Sequence, residues 1–486
     1  MIRLALLILT LLTPWLHVPA GGGDVAACFS AQDRGICNRE ALQHIKFKSV
    51  VLQFVDPGET DLGEGLARVF WREILDSISD LKGAGVIIAY DRDDQIKQQL
   101  GEQDVQTFLQ QGYHQAALKI AEFQKTQMAA WGAILNDGDG IYLQSYLSLR
   151  EASEQNWMQV TINFTDAPPL SVPFIRPQYN LPPITATRSE LFSRRFFTRC
   201  NLDAGCAEGI ELRSGPANDF DVITHVAQGS AIDVVDMHQQ WLQVKIDTNQ
   251  LLWINLYHVE MFPEQIRFDR VSRVNLRQGP MEKVLASVNL DGQYNVLDAQ
   301  RYGRWRTPWY KIKVQENVGW IRSDLASSRQ YMFGAVHLIA GFYRYNAGQY
   351  DQAIQDFSNY LLLVPDEDNV TRANVLKLLA ASELAGRSAN SNRVQRAGNY
   401  LRQAAEYTPF DASVYTLQAL LHIADKHRFD MALPFLIQAQ SLNPQDPSFI
   451  AIEQFLKELE GSHRLLTIMH RDMVNPTVEL LRTWEK

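Results

Sequence analysis

Four cysteines are the first groups in this chain with the means for redox, metal or nucleophilic chemistry, and they fall in two close pairs, Cys28 with Cys37 and Cys200 with Cys206. Neither pair has the CxxC spacing of a thiol-redox or zinc site, and the histidines are scattered away from both. In an oxidising compartment the economical choice among the possible connectivities joins each close pair, closing short loops that contribute about 2 to 3 kcal/mol each. Carboxylates offer less. Asp137-Gly138-Asp139-Gly140 invites comparison with a calcium loop, but an EF-hand needs Glu at its twelfth position, and counting from Asp137 or Asp139 arrives at Ser148 or Arg150. The string reads as a hairpin turn. Asp91, Asp93 and Asp94 follow a strand pattern and read as a solvated loop, not as an acid-base pair. No GxSxG, HExxH or GxxxxGK string occurs. The sequence therefore assigns no catalytic residue, no metal ligand and no cofactor.

Several domains must supply the elements that position any site. At 486 residues the chain is too long for one core and suggests about three to four domains of roughly 100–200 residues. With 46% apolar and 21% charged residues it is globular throughout. A net charge of -9 argues against a polyanion, so no nucleic-acid partner is expected, and the run Arg188, Arg194, Arg195, Arg199 reads as a solvated face. Residues 1–20 have the form of a secretory leader: Met1-Ile2-Arg3, an apolar stretch from Leu4 to Leu16, then Val18-Pro19-Ala20 as the cleavage site. No later stretch is long and apolar enough for a membrane helix, so the expectation is a periplasmic or secreted chain. Val25-Ala26-Ala27-Cys28 has lipobox character, although Gly21-Gly22-Gly23-Asp24 separates it from the apolar segment. A lipid on Cys28 is the alternative, and it would leave Cys37 unpaired.

Residues 28–165 read as an α/β domain. Lys48 to Val55 is a β-branched and aromatic run, Leu62 to Leu81 repeats apolar residues at three and four, Gly85 to Tyr90 is a buried strand, and Val105 to Gln124 is a second helix. Ala129 to Leu135 and Ile141 to Leu149 form a hairpin, and Trp157 to Phe164 gives one more strand. This order implies a mixed sheet with helices packed on it. The hairpin Trp131-Gly132-Ala133-Ile134-Leu135 with Gly140 to Leu147 resembles envelope domains at the amino end of the Tol-Pal propeller protein and in curli-secretion lipoproteins. That resemblance implies a non-catalytic docking domain in a Gram-negative periplasm. Residues 166–206, with Pro168, Pro169, Pro182 and Pro183, read as a semi-rigid connector carrying the second cysteine loop.

A tandem duplication follows. Leu212-Arg213-Ser214-Gly215-Pro216 leads to Trp241-Leu242-Gln243-Val244-Lys245 and Trp253-Ile254; Leu276-Arg277-Gln278-Gly279-Pro280 leads to Trp309-Tyr310-Lys311-Ile312-Lys313 and Trp320-Ile321. Each copy has short strands and Gly-bearing turns, as in a small all-β barrel, at 207–262 and 270–328. Both copies resemble bacterial SH3 domains, with one departure: Leu252 stands where a Gly usually precedes the tryptophan. The resemblance implies binding of cell-wall peptides or extended protein segments. Alternation places Trp241, Trp253, Trp309 and Trp320 in the cores; Tyr257 after the last strand, Trp305 in an insertion between strands and Tyr310 opposite Trp309 are the candidate ligand-binding residues.

Residues 331–486 carry a second repeat. Ala340-Gly341, Gly348, Tyr350, Ala353, Phe357, Tyr360 and Pro365 resemble the tetratricopeptide pattern of paired helices, and Ala419, Phe429, Ala432, Leu436, Ala439 and Pro444 repeat it. Ala397, Leu401, Ala404 and Pro409 mark a middle copy, and helices near 446–460 and 467–484 would cap an all-α solenoid. The family's concave face would place Leu338, Phe342, Tyr345 and Asn346 in a peptide groove. These same residues have the alternative of packing on the second barrel.

The chain is thus expected to be a multidomain, non-catalytic periplasmic adaptor or scaffold acting in envelope assembly or maintenance. It would bind proteins through its helical repeats and peptidoglycan or extended peptides through its SH3-like modules. The competing classes are a cell-wall hydrolase with SH3-like targeting modules and a sensor subunit of an envelope complex.

Overall fold

A computed structural model describes residues 26–28, 47–57, 60–78, 81, 84–89, 105–137, 140–150, 158–163, 168–174, 178–192, 195–198, 208–246, 250–261, 265–302, 307–326, 328–329, 331–385, 391–424 and 429–461. The leader, Cys37, Cys200, Cys206, the Asp91–Asp94 loop and the expected last capping helix lie outside them. So does the side chain of Cys28, whose backbone belongs to β1 (Ala26–Cys28).

The first sheet is built from β2 (Phe47–Leu52), β3 (Ala84–Ala89), β4 (Met128–Asp137) and β5 (Gly140–Leu149) in the order β1-β3-β2-β4-β5. The pairs β1–β3, β2–β3 and β2–β4 are parallel, and β4–β5 is antiparallel with Asp137 opposite Gly140, a tight hairpin. Parallel neighbours require crossovers, which α1 (Gly63–Ser77) and α2 (Val105–Phe123) supply. The central strands are buried on both faces, which explains their unbroken Val and Ile runs. Small residues of α2, Ala116, Ala117 and Ala121, lie with Ile120 against one face.

Two helices from distant parts of the chain close the other face: α1 and α4 (Ala335–Asn346). Glu73 of α1 is buried, and its carboxylate accepts the backbone N–H groups of Met332 (2.6 Å) and Phe333 (2.9 Å) just before α4. Phe333 stacks on Phe70 at 4.5 Å and meets Phe54 edge-on at 5.8 Å. Deeper in, the Tyr343 hydroxyl donates to Gly85 O (2.5 Å), so Ser49 Oγ at 2.7 Å donates to Tyr343. Arg344 reaches Ser77 O at the end of α1 (3.0 Å). The first helix of the expected solenoid is therefore a layer of the α/β unit.

The helical region continues as α5 (Tyr350–Leu361), α6 (Asn369–Ala385), α7 (Ser391–Tyr407), α8 (Ala412–Ala424), α9 (Phe429–Leu442) and α10 (Pro447–Gly461), three packed helix pairs and a final helix. Small residues stand where helices touch: a Cβ on Gly341 would run into the Phe357 ring. Buried charges are paired, Lys377 with Asp411 (2.8 Å) and Glu383 with Arg396 (2.5 Å) and Arg393 (3.0 Å).

The segment expected to be a connector is largely structured. β6 (Gln159–Ile162) pairs with β7 (Leu170–Pro173) as a separate ribbon instead of joining the main sheet, and this ribbon packs on α6 and α10. β8 (Gln178–Asn180) and β9 (Ile184–Ala186) extend the sheet at β5. Arg188, in the short helix α3 (Arg188–Leu191), is a strut: it donates to Thr60 O, Met237 O and Asp236, tying the α/β unit to the first barrel. Gly65 marks the same contact, since a Cβ there would collide with Met237 Sδ.

The first barrel comprises β10 (Arg195–Thr198), β11 (Ile210–Arg213), β12 (Val222–Val226), β13 (Ala231–His238), β14 (Trp241–Lys245), β15 (Leu251–Asn255) and β16 (Val259–Met261). The second has β17 (Gln265–Arg277), β18 (Val284–Tyr302), β19 (Thr307–Val314), β20 (Asn317–Arg322) and β21 (Ser328–Arg329), and pairing of β17 with both β18 and β20 closes the ring. The two share one register. Arg213 opposes Trp253 as Arg277 opposes Trp320, and bulges recur at Leu212/Arg213 and Leu276/Arg277 and at Val234/Asp236 and Val296/Asp298. The duplicated arginines fold back on their hairpins, Arg213 donating to Asn218 O (2.8 Å) and Phe220 O (2.7 Å), Arg277 to Glu282 O (2.7 Å).

Replacing Glu73 by Ala leaves two buried N–H groups without their acceptor and is expected to cost about 2 to 5 kcal/mol, with Glu73→Gln milder because one acceptor survives; urea unfolding measures both. A chain ended after Arg329 uncovers Phe47, Phe54 and Phe70 together, and loss of its cooperative transition is the expected result.

Candidate functional site

Among the described residues, those singled out from sequence do not converge. Tyr310 is fully buried within the second barrel beside Ile312 and Ile321, so it offers no ligand surface. Trp309 and Trp320 are buried as expected, but on the opposite face with Lys311, whose ammonium sits 6.0 Å from the Trp320 ring. In the first barrel Leu242, Val244 and Ile254 fill the interior, while Trp241, which is buried, and Trp253, which is half-buried, share the other face with Gln243. Strand alternation separates two faces without saying which is inside. Leu252, at the position of the missing glycine, is buried in that core. Tyr257 lies in a single 3-10 turn, Leu256–His258, described for its backbone alone, and Trp305 is outside the described residues.

The expected peptide groove is filled by the protein itself. Leu338 and Phe342 are fully buried, and the Phe342 ring meets Tyr179 at 5.6 Å. Tyr345 packs on Phe174 at 5.3 Å and donates to Gln159 O (2.8 Å), while Asn346 Oδ1 accepts from Met158 N (3.2 Å). Farther along, Tyr360 reaches Asn180 O (3.4 Å) and Ser448 reaches Pro173 O (2.5 Å). Residues 158–163, 168–174 and 178–181 occupy the place expected for a ligand, and burial pushes the Tyr343, Tyr345 and Tyr360 hydroxyls up, away from ionisation.

One side-chain constellation resembles a nucleophile and its base. His114 Nδ1 lies 2.9 Å from Ser148 Oγ, which also accepts the Trp131 indole N–H at 2.8 Å. Ser148 is fully buried, and Trp131 is sandwiched between the rings of Tyr113 (5.6 Å) and Tyr146 (4.3 Å). A substrate has no approach to Ser148 Oγ, and the cluster works as a polar clasp between α2 and the hairpin. Desolvation holds His114 below the usual imidazole range.

An open cleft of about 490 Å³ does form where three parts of the chain meet. Pro182, Pro183 and Ile184 supply one wall; Gln265, Arg267 and Gln293 come from the second barrel; Tyr331, Met332 and His337 and then Asn359, Leu362 and Leu363 come from the first helix pair. Gly334 lets the walls approach, because a Cβ there would lie 2.6 Å from Leu363 Cδ1. Gln293 donates to Gln265, which donates to Asn295 (2.9 Å), fixing the amide rim. His337 stands 3.8 Å from Asp356, whose other oxygen takes Arg344 Nε at 2.9 Å, and Tyr331 covers its ring edge-on at 5.3 Å. Apolar walls, an amide rim and one guanidinium suit an extended peptide: the amides match peptide groups, and Pro and Leu side chains match apolar residues. No Ser, Thr or Cys is among the described residues that line it. Sequence reasoning missed this cleft because its walls are far apart in the chain. Its one legible signal was Leu361-Leu362-Leu363, which carries exposed leucine past the end of α5.

No protein-family model matches the chain, and no curated protein matches it. Among solved structures, NlpC1 from Trichomonas vaginalis is 13% identical over 28% of this chain and 46% of its own, with a TM-score of 0.14. NlpC2 from the same organism is 12% identical over 30% of this chain and 53% of its own (TM-score 0.15). A PelC dodecamer from Paraburkholderia phytofirmans is 14% identical over 22% of this chain and 63% of its own (TM-score 0.14). The chain thus spans less than two thirds of each, and likeness at this level carries no argument. No described helix is long and apolar enough to cross a membrane.

Because the folded-state proton affinity of His114 is lowered, its contribution to stability is complete above about pH 6.5 and is lost as pH falls through the lower, folded value. His114→Gln should therefore lose less of its thermal midpoint than the parent between pH 7.5 and pH 5, measured side by side by circular dichroism.

Proposed function

We propose that this protein is a non-catalytic scaffold of the cell envelope that holds an extended segment of a partner protein in the cleft between its second barrel and its first helix pair. One observation carries the reading: the cleft exists only when three modules are assembled, and its lining pairs apolar walls with amides instead of a nucleophile and base. The likeness of the two barrels to bacterial SH3 domains supports extended ligands, with the wall polymer peptidoglycan as a second ligand of the barrels. The likeness of the helical region to tetratricopeptide repeats supports a protein-binding role, moved from the self-filled concave face to this edge of the stack. The leader-like residues 1–20 support a periplasmic setting.

The test is site-specific photo-crosslinking from Leu362 and Leu363 in envelope preparations, with Ile437 as a distant control. A single discrete partner segment, captured at the cleft and lost when Leu362→Arg and Leu363→Arg are combined, is the expected outcome. Release of soluble fragments from purified cell wall by the same chain would instead carry the hydrolase class.

A further inference from the structure

The two barrels leave the same surface uncovered. Among the described residues β12 pairs only with β11, and residues 284–290 of β18 pair only with β17, so both hairpins have an open outer edge. Their registers superimpose residue by residue: Arg213 opposes Val222 as Arg277 opposes Val284, and Ile210 opposes Val226 as Val274 opposes Val288. The extra residue at each bulge is a large aliphatic, Ile223 in one and Leu285 in the other, and these are 46% and 52% exposed. Val222 and Val284 beside them are each 38% exposed, and Phe220 and Met281 extend the two patches at the hairpin ends. Exposed aliphatics at an unpaired edge are what soluble proteins ordinarily avoid. Here they recur at equivalent positions in both copies.

Charge has diverged in opposite directions. Residues 208–226 of the first hairpin carry Glu208, Glu211, Asp219 and Asp221 against Arg213, and Arg213 is itself held by Glu211 and by backbone carbonyls. The equivalent residues 272–288 carry Arg273, Arg277 and Lys283 against Glu282. The inversion is sharpest at one position. Ser214 N donates to Asp221 O as Gln278 N donates to Lys283 O, so Asp221 and Lys283 are counterparts, both exposed, with opposite sign.

We infer that the occupant of these patches is a second copy of this chain, the acidic hairpin end of one molecule docking on the basic hairpin end of another. Like-with-like pairing would set Asp221 against Asp221, or Lys283 against Lys283, and is opposed by charge. The contact is therefore heterologous, first barrel to second barrel. Edge bulges discourage continuous strand pairing, so side chains make the contact: Phe220, Val222 and Ile223 against Met281, Val284 and Leu285, with Asp221 and Lys283 fixing the pairing.

Sedimentation velocity on the chain from Gly21 onward, over a concentration series at low and at high salt, reads the association directly. The expected result is reversible self-association that weakens with salt. Asp221→Lys alone and Lys283→Asp alone should each weaken it about five- to tenfold, and the two together should restore most of the loss, since the swap re-creates one opposite-charge pair. Ile223→Asn with Leu285→Asn should weaken it without changing its salt dependence. Thermal melts of every variant report folding, and all the substituted side chains are exposed. A chain that stays monomeric throughout, or one whose association is indifferent to both charge reversals, overturns the inference.

Discussion

The carboxylate of Glu73 is the point on which the architecture turns. It lies in the middle of α1, on the buried side, and it holds the two N–H groups that lead the chain into α4. A buried anion is costly unless its charge is met by donors, and a pair of backbone N–H groups supplies two of them here. Around it Phe54, Phe70 and Phe333 exclude water, and Tyr343 and Arg344 tie the same helix to Gly85 and Ser77. With α4 fixed, the remaining helix pairs stack from it, and the second barrel meets the first helix pair at the cleft.

That arrangement also decides what the helical region can offer. A curved stack of helix pairs usually owes its binding capacity to an empty inner face. Here the ribbon of β6 and β7 packs on the helices instead, from Met158 beside Asn346 to Pro173 beside Ser448. The ribbon is no loosely held tenant: its neighbours Phe342 and Tyr345 are buried, and their contacts belong to the same continuous core as α1 and the first barrel. What the protein leaves open lies on its outer edges, among leucines at a helix end and aliphatics at two hairpin ends.

Much of this was legible from residue patterns. The strand and helix order of the first unit, the hairpin at Asp137–Gly140, the two equivalent β copies and the three helix pairs all follow from periodicity and from small residues such as Gly341 at helix crossings. What escaped was always a matter of which partner an apolar face meets. Leu338, Phe342 and Tyr345 make the same stripe whether they face a ligand or a sheet of their own chain. Trp241, Trp309 and Trp320 are buried, yet Leu242 and Tyr310 on the other face fill the barrel interiors, because period two defines faces and not their burial. Pro182 and Pro183 looked like spacer and are cleft wall, a role set by segments more than 80 residues away.

The bond from Glu73 to Met332 spans 259 residues of sequence, and this has a consequence for how the molecule comes into being. The amino-terminal sheet cannot complete its second helical layer until a helix about two thirds of the way along the chain arrives. During synthesis the sheet face that α4 covers therefore stays bare until that helix is made. Loop closure over such a distance makes native assembly slow, and sheet-rich intermediates with open faces are the ones that aggregate. Completion of this core thus falls late in synthesis, and the sheet face beneath α4 stays open until residues 335–346 have emerged.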